Sequence, residues 1–204
     1  VEECGNVLLC VAALCRAQKD YSYAKEHMDI LNKWADYLES VGYDPAEQLC
    51  TDDFAGHLAH NTNLGVKSVV ALAAWAGCLK ELGNARLSEQ YLSAARKFAK
   101  QWQKAAFAGD HYALCFDKPE TFSIKYNMVW DTLLNLNLFD KSVKDTEVSY
   151  YLTQFNRFGL PLDSRNDYTK SDWQMWAACL TDNELFTERV IDCMWQFLHH
   201  GRDR

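Results

Sequence analysis

The amino-acid sequence predicts an all-α protein built from helical hairpins. Apolar residues recur with the spacing of an α-helix in eight segments. Only 3 of the 204 residues are Pro, and the connections between segments alternate between short and long. Because 49% of the residues are hydrophobic, the chain can bury a sizeable core, and residues 1–204 are expected to form a single domain.

Four of the eight segments are apolar on nearly every side, which is typical of helices buried all round. They cover residues 6–18, 62–82, 124–138 and 171–181. The other four carry a single apolar stripe, as helices with one wet face do. Those stripes are Met28, Leu31, Ala35 and Leu38; Leu87, Tyr91, Ala94, Phe98 and Trp102; Val148, Tyr151 and Phe155; and Phe186, Val190, Cys193 and Phe197. The apolar helices are therefore expected inside and the amphipathic helices outside.

The connections between these segments predict how the helices pair. Each apolar helix is joined to the next amphipathic helix by a short polar turn, at 18–22, 83–84, 139–142 and 181–183. Such turns fold two helices into a hairpin. The connections between hairpins are long, at 43–61, 109–123 and 158–170. If the hairpins stack side by side, all the long loops lie at the N-terminal ends of the inner helices.

A polar cluster precedes or opens each inner helix, at 1–6, 51–63, 121–131 and 162–173, and we call the end where they are expected to meet the rim. Thr62, Ser123 and Ser171 are expected as N-caps. The clusters hold more polar side chains than capping needs, which predicts a polar pocket. The candidate ligand-contacting residues are Glu2, His57, His60, Asn61, Tyr126, Asn127, Trp130, Asp163, Arg165, Lys170 and Trp173, and the candidate catalytic carboxylates are Glu3, Asp52, Asp53 and Asp172.

Paired carboxylates are one chemistry that these clusters allow. One carboxylate from Glu2 or Glu3 and another from Asp52, Asp53 or Asp172 could act as general acid and base on a glycosidic bond. Asp52 and Asp53 are the strongest candidates for chemistry or for ligand charge, because their cluster has the largest excess over what capping requires.

Two other chemistries remain open at the sequence level. His57-x-x-His60 could bind a metal, but a tetrahedral site needs three or four ligands and no other residues have matching spacing, so no metal is expected. The two histidines are instead expected to fix the turn by hydrogen bonds. A serine or threonine within 164–171, near Lys170, could serve as a nucleophile with a basic partner. No cofactor is expected.

Charge and composition exclude some classes of partner. The net charge is −7 and no Lys/Arg cluster exceeds a pair, so nucleic acid is not an expected partner. The longest apolar run, at 7–15, is too short to span a membrane and lacks the basic flank of a signal peptide. The eight cysteines lie mostly in apolar runs, as small buried hydrophobes do. The chain begins without Met inside a motif, which predicts that it is part of a longer protein.

Four motifs carry a resemblance to a known family. They are VEECGN at 1–6, TDDFAGHLAHNTNLGVKSVVALAAW at 51–75, FSIKYNMVWD at 122–131 and GLPLDSRNDYTKSDWQMW at 159–176. In this order they resemble the central helical region of the glutaminase A family, over nearly the whole chain. That family is similar to the six-hairpin glycosidases, whose fold is an (α/α)6 toroid with its active site at the long-loop end. The resemblance implies that the eight helices are part of such a toroid, with the polar rim at the N-termini of the inner helices.

The resemblance implies a hydrolase that converts L-glutamine to L-glutamate and ammonia. In such a site Arg165 or Lys170, with helix N-termini, would hold the carboxylate of the substrate, and Asp52, Asp53 or Asp172 would hold its ammonium. Members of the family are commonly exported, which implies an extracellular or periplasmic location. The expected partners are a small polar substrate, either an amino acid or a sugar, and other domains of the same full-length protein.

Two alternative functions are kept. The rim could belong to a glycoside hydrolase of the six-hairpin type, active in carbohydrate metabolism, with paired carboxylates and with Trp130 and Trp173 stacking on sugar rings. The chain could also be a non-catalytic helical binding module, in which case the rim clusters would point apart or satisfy only caps.

Overall fold

The computed structural model describes residues 1–48 and 56–201, and its regular structure is helical. The elements are α1 (Glu2–Gln18), α2 (Ser22–Glu26), α3 (Met28–Val41), α4 (Thr62–Glu81), α5 (Ala85–Ala105), a 3-10 turn (Tyr126–Met128), α6 (Val129–Leu133), α7 (Lys141–Tyr151), α8 (Ser171–Ala178) and α9 (Glu184–His200). Within the two described ranges, β-type pairing is limited to isolated bridges. The prediction of an all-α fold is confirmed.

The fold is organised around α4, which is buried on all sides. Of its 20 residues, 17 are buried, as expected for a helix with no polar face. Helices α1, α3 and α5 pack directly against it. Among the described residues, α4 is the one helix long and apolar enough to cross a membrane, yet 94% of its most apolar window is buried inside the protein. That burial is typical of a core helix.

The predicted hairpins are present in the first, second and fourth positions. Helix α1 packs on α3, α4 on α5, and α8 on α9. The turn from α4 to α5 uses Gly83 at a φ of 77°, a conformation that glycine adopts without strain. Asparagine caps then start the outer helices, because Asn84 accepts a hydrogen bond from Leu87 N and Asn183 accepts one from Phe186 N.

The third inner helix differs from the prediction of a helix over 124–138. Only the 3-10 turn and α6 form, and the chain leaves the helix at Leu134. Asn135 and Asn137 follow with φ angles of 48° and 57°, in the left-handed region that asparagine tolerates. The Asp131 carboxylate accepts a hydrogen bond from Leu138 N at 2.8 Å. The helix therefore ends at these residues, through the Asp131 hydrogen bond and the left-handed asparagines, although the apolar pattern continues.

Two further expectations about helix boundaries are corrected. The stripe of the third outer helix was expected to include Phe155, but α7 ends at Tyr151. Phe155 lies in the following turn and packs edge-on against Phe186, with ring centroids 5.7 Å apart. Helix α1 begins at Glu2 rather than at residue 6, and Leu14 on its outer side is 44% exposed. Thus α1 is not buried on every side within the described part of the chain.

The three residues expected as N-caps have other roles. The cap of α4 is Asn61, whose side chain accepts from Leu64 N at 3.0 Å, while the Thr62 hydroxyl donates to the Ala113 carbonyl. Ser123 is buried outside any helix. Ser171 is the first residue inside α8, which has no side-chain cap. The actual caps follow the general preference for asparagine at this position.

The tight packing of α4 predicts opposite effects for two glycine substitutions on this helix. Gly65→Ala places a Cβ 2.6 Å from the Tyr43 carbonyl oxygen, whereas Gly77→Ala places one in open space. We expect Gly65→Ala to lower the free energy of unfolding by about 1–3 kcal/mol through overpacking. Gly77→Ala is expected to raise it by about 0.5–1 kcal/mol through helix propensity. Urea unfolding measures both, and equal effects would contradict the packing described for α4.

Candidate functional site

A buried ion pair joins the first polar cluster of the rim to α4. The Glu2 carboxylate accepts a hydrogen bond from the Lys67 ammonium, and the side chains are only 9% and 6% exposed, respectively. Gly5, one turn after Glu2 on α1, makes room for the lysine stem, because a Cβ there would lie 3.0 Å from Lys67 Cγ. The start of α1 is therefore fixed against the first two turns of α4.

A pair of asparagines joins α4 to the third polar cluster. Asn127 N donates to Asn63 Oδ1 at 3.3 Å, and Asn127 Nδ2 donates to the Asn63 carbonyl at 3.1 Å. Both residues are buried. The Asn127 Oδ1 atom is buried without a hydrogen-bond partner among the described residues. The backbone and side-chain N–H groups of Asn127 thus fix its position against Asn63.

Aromatic rings join the third cluster to the fourth. Tyr126 stacks face to face on Trp173, with centroids 4.5 Å apart and an interplanar angle of 7°. The Lys170 ammonium lies 4.3 Å above the Trp173 ring, and since Tyr126 fills one face, the ammonium covers the other. Trp130 meets Trp176 edge-on at 5.9 Å. The chain of contacts that begins at Glu2 therefore continues to the N-terminus of α8.

Asp163 and Arg165 form their own pair to one side of these contacts. Asp163 is 3% exposed, and its carboxylate accepts from Arg165 N, Nε and Nη2 at 2.8, 2.9 and 2.6 Å. This two-pronged geometry is the strong form of a carboxylate–guanidinium contact. The pair lines an open polar cleft of about 540 Å³ together with Glu120, Tyr150 and Asp167. Arg165 is therefore largely engaged by Asp163.

Lys170 and Asp172 line a second cleft, of about 860 Å³, at the N-terminus of α8. Its opposite wall is apolar and includes Met194 and Phe197 of α9. The Asp172 side chain is exposed, and its Oδ1 accepts from Trp173 N at 2.9 Å. The residues predicted from the fourth cluster are thus divided between two clefts rather than gathered in one.

The candidate catalytic carboxylates differ in their surroundings. Glu3 is exposed on the first turn of α1, next to the buried Glu2. Asp172 is exposed on the first turn of α8. Negative charge at a helix N-terminus is stabilised by the free N–H groups of the first turn. Asp52 and Asp53 lie outside the described residues, so their roles stay predictions.

The two histidines of the second cluster contact acidic residues on the preceding segment. His60 Nδ1 lies 2.8 Å from Asp44 Oδ1, and its backbone has a φ of 60°. The hydrogen bond to Asp44 and the charge of that carboxylate raise the pKa of His60. His57 Nδ1 lies 3.8 Å from Glu47 Oε1 at the surface. Within residues 1–48 and 56–201, no group of three or more metal-ligating side chains is found.

The hydroxyl groups of the fourth cluster give little support to a nucleophile with a basic partner. Ser164 Oγ accepts a hydrogen bond from Phe122 N at 3.3 Å, which ties two loops of the rim together. Ser171 is exposed at the start of α8. Thr169 Oγ1 is buried without a partner in the described ranges. A nucleophilic role for these hydroxyls rests on their proximity in sequence to Lys170.

Two buried lysines, Lys67 and Lys125, were not among the site residues predicted from the sequence. Lys67 occurs in the apolar run LGVKSVV of α4, and Lys125 occurs in FSIKYN. A lysine inside an apolar segment requires a buried partner, and these partners are Glu2 and Glu147. The lone charge in each apolar run is the signal that could have identified them. Their partners could not be identified from spacing, because they lie 65 and 22 residues away in the sequence.

The sequence is similar to those of known proteins. A sequence model of the glutaminase A six helical-hairpin domain matches residues 1–204. The chain is 36% identical over 189 residues to a protein of Aspergillus oryzae named glutaminase A, a match that covers 91% of this chain and 27% of that protein. It is 27% identical over 185 residues to a protein of Arthroderma benhamiae named as a probable glutaminase, covering 76% of this chain and 22% of that protein. The chain spans about a quarter of the length of these curated relatives.

The ion pair between Glu2 and Lys67 predicts a strong effect of removing its cation. In Lys67→Met, the Glu2 carboxylate stays buried and loses the Lys67 ammonium, so the free energy of unfolding should fall by about 3 kcal/mol. Lys141→Met is the matched control, since Lys141 pairs with Asp145 at the surface, where such pairs contribute about 0–1 kcal/mol. Chemical unfolding measures both. Similar losses for the two variants would show that the Glu2–Lys67 pair is not the constraint described.

The contact between His60 and Asp44 predicts a pH dependence of defined sign. The pKa of His60 in the folded protein is raised, above the unfolded value of about 6.5. Its stabilising contribution is therefore fully present below about pH 6.5 and is lost as the pH rises through the folded pKa. Asp44→Asn should lower the pKa of His60, as measured by NMR titration with His60→Gln to assign the signal. An unchanged pKa would refute the contact.

Proposed function

Because the chain belongs to the glutaminase A six helical-hairpin family, we propose that the full-length protein hydrolyses the side-chain amide of L-glutamine at the rim, releasing L-glutamate and ammonia. The observation that carries this proposal is the similarity to the Aspergillus oryzae protein named glutaminase A, which extends over most of the chain. The arrangement of charged groups at the rim supports it.

The rim offers both charges that an α-amino acid needs. Lys170 supplies a cation at the N-terminus of α8, where free backbone N–H groups also favour a substrate carboxylate. Glu3 and Asp172 supply exposed carboxylates on the first turns of two inner helices, α1 and α8, suited to the substrate ammonium. The Arg165 guanidinium is bonded to Asp163 and lines the other cleft, whereas Lys170 and Asp172 line the same cleft at the start of α8.

Amide hydrolysis requires proton transfer at two atoms. A carboxylate acting as general base removes a proton from water as the water oxygen attacks the amide carbon, and the C–N bond breaks as the nitrogen gains a proton and leaves as ammonia. Glu3, Asp172 and the two aspartates at 52 and 53 are the proposed candidates for this base. The Asn127 Oδ1 acceptor is a candidate for holding the N–H2 group of the amide.

A second candidate function is hydrolysis of a glycoside by paired carboxylates, within carbohydrate metabolism. The half-buried rings of Trp130 and Trp176, which meet edge-on, favour it because aromatic rings at a polar site can stack on sugars. Trp173 is less suited to stacking, since Tyr126 and Lys170 cover both its faces. A non-catalytic binding module remains the outcome if neither reaction is found.

The proposal includes the neighbouring domains and the location of the protein. Since the curated relatives are about four times longer than their matched segments, other domains of the same polypeptide are the expected neighbours of this one. Export to an extracellular or periplasmic location is part of the proposal, on the resemblance to exported members of the family.

Ammonia release from L-glutamine by the full-length protein tests the proposed function. Asp172→Asn, Asp53→Asn and Glu3→Gln are compared with the wild type, and the variant that removes the general base should lower kcat by about 10²–10⁴-fold. Lys170→Met should mainly raise KM, because it removes a contact to the substrate carboxylate. Glu188→Gln, an exposed carboxylate on α9, is the matched control and should leave kcat and KM unchanged.

A panel of aryl glycosides and oligosaccharides completes this test. Sugar release without ammonia release would replace the amidohydrolase by the glycosidase. Activity on neither substrate class, with the wild-type protein folded, would leave the binding module. Full glutaminase activity in all four rim variants would place the chemistry elsewhere in the protein.

A further inference from the structure

The segment 122–128 runs across the rim without belonging to an α-helix, so its backbone depends on partners from other elements. Ile124 N donates to the Leu162 carbonyl at 2.8 Å, and Phe122 N donates to Ser164 Oγ at 3.3 Å. Lys125 N donates to the Tyr151 hydroxyl at 2.8 Å. The last of these partners lies on α7, an outer helix, beneath the rim.

A buried charged network supplies the remaining partners. Lys125 Nζ donates to the Ser123 carbonyl at 2.9 Å and the Tyr112 carbonyl at 2.7 Å, and it lies 3.5 Å from Glu147 Oε2. Glu147 Oε1 accepts from Tyr112 N at 2.7 Å, and Oε2 accepts from the Tyr151 hydroxyl. The side chains of Lys125 and Glu147 are 0% and 1% exposed. One ammonium thus fixes two separate loops against one outer helix.

Burying such a charged network costs free energy, because both charges are removed from water. Burial lowers the pKa of Lys125, which reflects the cost of removing its charge from water, while Glu147 offsets part of that cost. Burial and the Glu147 carboxylate raise the pKa of Tyr151 well above its usual range, so the phenol remains a donor. Buried ion pairs can often be replaced by uncharged residues without loss of stability. What uncharged residues cannot reproduce is the set of directed bonds to the 122–128 backbone.

The side chains that this segment presents to the rim follow directly after Lys125. Tyr126 stacks on Trp173, and Asn127 bonds Asn63 while keeping its Oδ1 atom as a buried acceptor. We propose that Lys125, Glu147 and Tyr151 are positioning residues, which set the location of Tyr126 and Asn127 and through them the ligand site. This inference rests on the proposed function for its kinetic consequence, but its structural consequence is independent of any reaction.

The test uses the full-length protein and the double variant Lys125→Met/Glu147→Gln, which removes both charges and keeps an acceptor for Tyr112 N. We expect a cooperative fold with a lower Tm than the wild type, because the Tyr112 and Ser123 carbonyls lose their Lys125 donor. Backbone amides of 122–128 should exchange with deuterium at least about tenfold faster than in the wild type, while the exchange rate of the α5 amides stays unchanged. The kcat for ammonia release should fall by about 10–100-fold, since displacements of about 1 Å at a site have effects of that size.

A single-atom comparison covers the case in which the double variant does not fold. Tyr151→Phe removes the hydroxyl that bonds Glu147 and Lys125 N. Tyr91→Phe removes the hydroxyl of another buried tyrosine, on α5, which bonds Asp36 of α3 at 2.7 Å. Tyr151→Phe should accelerate exchange in 122–128 and lower kcat, and Tyr91→Phe should do neither. Exchange in 122–128 at the wild-type rate in Tyr151→Phe would overturn the proposal. If the wild type releases no ammonia, the proposed function fails and the exchange rates still decide the positioning role.

Discussion

A helix that is buried on every side must still satisfy the polar groups of its own first turns, and this constraint on α4 shapes the rest of the structure. Asn61 caps the helix, the Thr62 hydroxyl bonds the Ala113 carbonyl, Asn63 bonds Asn127, and Lys67 pairs with Glu2. Each partner comes from a different part of the chain. Because an unpaired buried polar group costs several kcal/mol, these partners are required, and they bring α1, the 109–118 loop and the 122–128 segment to the same end of the bundle.

The rim follows from that requirement. The polar end of α4 contacts the first turn of α1 and the 122–128 segment, and the free N–H groups of helix N-termini favour negative charge. Glu3 and Asp172 are exposed at the first turns of α1 and α8, and the half-buried Lys170 holds its ammonium over the Trp173 ring. A surface with fixed amides and with charged groups of both signs is suited to the proposed amino-acid substrate. Family membership and physical arrangement therefore support the same class of ligand.

The sequence was sufficient for the helical class, for the inner and outer helices of three hairpins, and for the end at which the polar clusters lie. Periodicity reports burial, which extends round nearly all of α4 and is confined to one stripe of α5. The periodicity wrongly predicted one continuous helix over 124–138. Asp131 ends that helix through a local hydrogen bond, and Asn135 and Asn137 adopt left-handed backbone, which an apolar pattern does not encode. The partners Glu2 and Glu147 could not be assigned to Lys67 and Lys125, because such contacts depend on tertiary packing. The division of the fourth cluster between two clefts likewise depends on where the 162–170 loop turns.

The most direct test of this account is a crystal structure of the full-length protein with L-glutamine or a non-hydrolysable amide analogue bound. The account predicts the ligand at the polar end of α4, with its carboxylate near Lys170, its ammonium near Glu3 or Asp172, and its amide near Asn127. A ligand held instead in the cleft of Asp163 and Arg165, or in another domain away from the inner-helix N-termini, would contradict it.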